Sequence, residues 1–105
     1  MSNKIITYIQ FLKKLKQFFV GEGLLSKLKK HQIHYLIIFN TCPEKIKKHL
    51  SELMIDKEKI CVVDENIINP VQIGYEKLNA FGTKHILGAR IIEEIKKEVQ
   101  DVKEK

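Results

Sequence analysis

Five consecutive apolar side chains, Tyr35-Leu36-Ile37-Ile38-Phe39, constrain this chain more than any other feature. A strand turns alternate side chains to opposite faces, so an unbroken apolar run must be covered on both. A sheet with helices on each side provides that cover. A second run, Ile60-Cys61-Val62-Val63, makes the same demand. The segments around these runs carry the helical period instead. Ile5, Ile6, Ile9, Leu12 and Leu15 share a face over residues 4–16, with Tyr8 and Phe11 flanking and Lys13, Lys14 and Lys16 off it. Leu24, Leu25 and Leu28 turn inward over 22–31. Ile46, Leu50, Leu53 and Met54 do so in a helix that Thr41 caps, with Pro43 in its first turn and Glu44 three residues after the cap. Ile91, Ile92, Ile95 and Val99 line a last helix from His85 or Ile86 to about Val99.

Shorter signals fill the gaps. Phe18-Phe19-Val20, closed by Gly21, is a β-prone run, and Leu78–Thr83 is a candidate strand with Gly82 inside it. Asn69-Pro70 opens a short helix ending near Gly74. The alternation, with connections of two to six residues, predicts an α/β chain with helices on both faces of a four-stranded sheet. One domain spans 1–105, and the charged residues 100–105 are expected to fray.

Several function classes find little support. No run approaches the ~20 apolar residues of a membrane span. The N-terminal apolar pattern is interrupted by Lys13, Lys14 and Lys16, unlike a secretory leader. Two cysteines, Cys42 and Cys61, make no disulfide framework, so a reducing cytoplasmic compartment fits. His31 and His34 straddle a helix-to-strand turn, and no Cys-x-x-Cys pair accompanies them, so they read as surface or boundary residues rather than zinc ligands. Cys42 stands where a helix dipole could lower a thiol pKa, but Pro43-Glu44-Lys45 follow it in place of a Gly-rich anion loop. Asp64-Glu65 and Glu93-Glu94 are solvated charge, the second pair having Lys96 and Lys97 as helical partners. With no phosphate-cradling glycine motif either, the chain reads as a non-enzyme without cofactor or metal.

Charge points to a partner. Residues 1–48 carry ten Lys against Glu22 and Glu44, a net +8. Residues 49–105 carry eight Lys and Arg90 against eleven acids, a net −2. Like charges repel in a compact fold, whereas a polyanion gains affinity from them through counterion release. Gly21-Glu22-Gly23 leads into a helix whose second turn carries Lys27, followed by Lys29 and Lys30. The neighbouring connection, Asn40 to Lys48, is expected on the same sheet edge and adds Lys45, Lys47 and Lys48. Phosphate contacts are therefore assigned to Lys27 and Lys30, with Lys14, Lys16 and Lys45 as further candidates.

Over residues 3–97 this order of elements resembles the kink-turn RNA-binding proteins related to ribosomal proteins L-seven-Ae and L-thirty-e, and most of all their bacterial YlxQ-like members. The residues that carry the resemblance are Phe19-Val20-Gly21-Glu22-Gly23-Leu24-Leu25-Ser26-Lys27, the stretch Leu36–Glu44, Ile73-Gly74-Tyr75-Glu76-Lys77, and the strand Leu78–Thr83. The resemblance implies a three-layer α/β/α sandwich with a four-stranded mixed sheet. It also implies a monomeric, non-enzymatic ribonucleoprotein component that binds a bent internal loop with sheared G·A pairs, in ribosomal or ribosome-associated RNA. Relatives use a Gly-x-Asn-Glu-x-x-Lys loop and helix. Gly21 and Lys27 match it, while Gly23 replaces Asn and Leu24 replaces Glu, which leaves backbone rather than base-specific contacts. His31 falls near an often-basic position, and Ile46 near an apolar residue that meets the flipped-out base. The Asp64–Asn69 loop is acidic, and Asn69-Pro70 stands where relatives have Leu-Gly. The implied nucleic-acid-binding set is Gly21, Glu22, Gly23, Lys27, Lys30, His31 and Ile46. The alternative is a protein-interaction module that keeps the sandwich without base-specific recognition, for which an exposed Leu24 would be the sign.

Overall fold

The computed structural model describes residues 3–103. Helix α1 spans Asn3–Lys14, α2 Gly21–Lys29, α3 Glu44–Leu53 and α4 Leu87–Lys103, and the strands are β1 Tyr35–Phe39, β2 Ile60–Val63 and β3 Ala80–Thr83. Single 3-10 turns occupy Lys57–Lys59 and Pro70–Ile73. The sheet order is β2-β1-β3. β2 runs parallel to β1, with Leu36 opposite Ile60 and Phe39 opposite Val63, and β3 runs antiparallel, with Tyr35 opposite Thr83.

The unbroken apolar run is thus the central strand, and its alternate residues feed two separate cores. Ile37 and Phe39, with Cys61, Val63 and Phe81, pack against α1 (Ile5, Ile9, Leu12) and α4 (Ile91, Ile92, Ile95). Leu36 and Ile38, with Ala80, pack against Leu24 and Leu28 of α2 and Leu50 of α3. The result is a three-layer α/β/α arrangement with a mixed sheet.

Several expectations need correction. First, among the described residues the sheet has three strands, not four: of the Phe18–Val20 run only Phe19 joins it, exchanging both backbone hydrogen bonds with Gly82 at 3.0 and 3.1 Å. The chain leaves α1 at Lys14 and must enter α2 at Gly21, which leaves room for one rung. Gly82 instead lets α2 close on the sheet face, because a Cβ there would stand 2.7 Å from Leu24 Cδ1 and 2.9 Å from Ile33 Cγ2. Second, β2 is an edge strand, so Val62 is 48% exposed. Third, Leu15 lies past the end of α1 and is 46% exposed. Fourth, Thr41 does not cap α3: the helix begins at Glu44 with Pro43 at the N-cap and no side-chain cap bond, because Thr41 and Cys42 belong to a turn in which Cys42 N–H donates to Phe39 O at 2.9 Å. At the other end of the chain, α4 continues to Lys103, past the expected stop near Val99, while Glu104 and Lys105 of the expected tail lie outside the described residues.

Helices α1 and α2 end alike. Lys16 (φ 59°) and His31 (φ 57°) take the left-handed conformation. Around each, the next two amides close the helix: Lys16 N to Lys13 O and Gln17 N to Leu12 O, then His31 N to Leu28 O and Gln32 N to Lys27 O. This is the Schellman pattern, with a side-chain-bearing residue where glycine is usual.

Candidate nucleic-acid interface

The α2–α3 layer does not close over the sheet. Between the start of α2, the first turns of α3 and the segment entering β3 runs a groove of about 770 Å³. Leu24, Leu50, Leu78 and Ala80 are its buried apolar lining, and Leu25 and Ile46 stand more open. Lys45, Lys77 and His49 supply its cationic or titratable groups, with Asn79 and Thr41 as neutral polar ones. No Asp or Glu is among these lining residues.

Local conformation explains the opening. Gly21 enters α2 with φ 56°, and a Cβ there would meet nothing within 4 Å. Val20 before it is extended, and no side chain caps the helix. α3 also starts without a side-chain cap. Two helix starts border one apolar trough, their partial positive charge met in the first turns by Glu22 and Glu44, with Lys45 and Lys77 beside them.

The seven sequence-derived site residues divide. Gly21 and Ile46 both line the groove. Ile46 is 40% exposed there rather than buried as the helical pattern suggested. Glu22 and Gly23 are exposed beside Gly21, so the Gly21–Gly23 corner is open to water. Lys27, Lys30 and His31 are not among the lining residues. Lys27 is half-buried, with its Nζ 5.1 Å from the centre of the Phe19 ring, and Lys30 is the C-cap of α2. His31 lines a separate cleft of about 160 Å³ with His34, Asp56 and Lys59. Lys14 and Lys16 sit on and just after α1, in the layer across the sheet from α2 and α3. Lys47 is paired with Glu44 at 3.1 Å. Leu24 is only 2% exposed, so the sign of a protein-interaction surface at that position is absent.

Sequence reasoning gave no site role to Lys77, His49, Leu25, Leu78 or Asn79. Lys77 ends the Ile73–Lys77 segment and Leu78 opens Leu78–Thr83, but only the antiparallel return of β3 beside β1 carries them to the start of α3. Cys42 is 4% exposed, and burial pushes its thiol pKa up, with Lys47 opposing and Glu44 reinforcing the rise. That is the reverse of what a nucleophilic thiol needs. Among the described residues no three His, Cys, Asp or Glu side chains converge as metal ligands, and no helix is long and apolar enough to cross a membrane.

No family model and no curated protein matches the chain. A solved structure of a protein of unknown function from Bacillus halodurans is similar in fold, with a TM-score of 0.69 over 90% of this chain and 97% of that one, at 16% identity.

Proposed function

We propose that this chain is a non-enzymatic, cytoplasmic binder of structured, kink-turn-like RNA, acting as a monomer on ribosomal or ribosome-associated RNA. One observation carries the reading: a groove free of acidic lining residues, with an apolar lining and lysines at two sides, bordered by two uncapped helix starts. Such a surface offers stacking area to an unstacked base and cations to the phosphates around it. The resemblance over residues 3–97 points to the same ligand. With Gly23 and Leu24 in place of Asn and Glu, recognition rests on backbone shape more than on base edges.

The test is a gel shift of a kink-turn RNA against a straight duplex over a range of salt. Tighter binding of the kinked RNA is expected. Lys45→Ala and Lys77→Ala should each lower the log–log salt slope by about 0.9 or less, one phosphate contact apiece. Lys97, paired with Glu93 and Glu94 on α4, is the control that should leave it unchanged. Equal binding of kink and duplex, or equal effects of all three substitutions, overturns the reading. A nuclease-resistant protein partner captured through Ile46 would favour the interaction-module alternative.

A further inference from the structure

The groove's third side follows a short turn that is held both by its own bonds and by a contact from α1. Pro70–Ile73 is one 3-10 turn, capped by Asn69, whose side chain accepts from Val71 N–H at 3.0 Å. It ends at Gly74 in the left-handed region (φ 94°). Three residues later Lys77 reaches the groove. From outside, Ile73 packs into the core beneath α1, and one polar side chain adds to that hold: Lys13, sixty positions away on α1. Its Nζ donates to Ile73 O at 2.8 Å and stands 5.2 Å from the centre of the Tyr75 ring and 6.0 Å from that of Phe18. The two rings lie 6.1 Å apart, and Phe18 stacks on Phe81 of β3 at 4.9 Å. A Cβ on Gly74 would stand 3.3 Å from Nζ, so the ammonium packs close against the turn itself. A carbonyl and two ring faces attract an ammonium by charge–dipole and charge–quadrupole interaction, and an apolar isostere supplies neither.

We propose that Lys13 is a positioning residue for RNA binding: its ammonium clamps the Ile73–Tyr75 turn, so that Lys77 and Leu78 stand at the groove. The inference rests on the RNA reading for its affinity consequence, but the clamp can be measured without RNA. It also separates Lys13 from its neighbours in the N-terminal lysine cluster, since a clamping ammonium is not a phosphate contact.

The experiment uses the full chain carrying Lys13→Met, with two readouts. Without RNA, amide exchange is followed at Gly74 and Tyr75, which donate to Val71 O at 3.2 Å and Pro70 O at 3.0 Å. Exchange there should quicken by roughly tenfold or more, while α3 amides in the opposite layer keep their rates. With kink-turn RNA, affinity should fall roughly fivefold or more while the salt slope stays at its wild-type value. Unchanged exchange at Gly74 and Tyr75 overturns the clamp. A slope reduced by about 0.9 overturns the positioning role and makes Lys13 a direct phosphate contact. If Lys13→Met does not fold, Tyr75→Leu removes one ring face, keeps the apolar bulk, and is read in the same way. A wild-type chain that binds no RNA sinks the functional reading, while the exchange arm still decides the clamp.

Discussion

Two side chains occupy backbone positions that suit glycine better. Lys16 and His31 each close a helix in the left-handed conformation, where an L-residue's Cβ crowds the following carbonyl. The strain is about 1 kcal/mol or more per residue, partly offset because glycine is freer in the unfolded chain. Lys16→Gly and His31→Gly should therefore each raise the unfolding free energy by about 0.5–1 kcal/mol, seen as a higher urea midpoint at unchanged slope. On the proposed RNA reading, His31→Gly should also leave affinity unchanged, since the residue lies outside the groove. The cysteines make a pH-dependent case. Burial raises both thiols, Lys47 opposing at Cys42 and Lys96 at Cys61. A raised acid holds its proton more tightly when folded, so its contribution to stability is complete below the unfolded thiol pKa and is lost as pH rises through the folded one. Stability should fall on the alkaline side of the ordinary thiol range, measured by denaturant titration at stepped pH. Cys42 should alkylate slowly at neutral pH in the native chain and rapidly in denaturant.

At the level of elements, the missing cap has a consequence. A Ser/Thr N-cap is worth about 1 kcal/mol where it exists, but Thr41 precedes the α3 cap by two residues and makes no such bond. Thr41→Ala should be nearly neutral in a denaturant melt, whereas a loss near 1 kcal/mol would place the helix start at Thr41 after all. The failure of this motif shows what single-sequence reading captures. Apolar period and continuity placed α1 to α4 and β1 to β3 to within a few residues, because both report which faces lose water. Capping and strand pairing depend on where the chain comes from. Thr41 is held by the turn leaving β1, and Phe18–Val20 has β propensity but a path that lets only Phe19 reach Gly82. The site was half legible for the same reason. Gly21 and Ile46 sit near helix starts that local pattern reveals, while Lys77 arrives by a long-range pairing no local signal encodes.

For the molecule as a whole, the division of charge along the sequence becomes a division between layers. The basic first half contributes α1 to one side of the sheet and α2 with the first half of α3 to the other. Its lysines therefore do not form one surface. On the proposed RNA reading, Lys14→Ala should leave affinity and salt slope at wild-type values, whereas Lys45→Ala should lower both, in parallel titrations at two salt concentrations. Equal losses would mean an RNA that wraps both layers. The layering itself was the most legible property, since one two-faced strand required it. The single Phe19 rung has a different consequence. It takes the outward N–H and C=O of Gly82, so an incoming strand would have to evict it there, and β2 at the opposite margin remains the open edge. Among the described residues β2 is thus the margin with no rung laid across it, so intermolecular strand addition is favoured there, joining two copies β2 to β2, while growth from β3 would first need Phe19 to peel away.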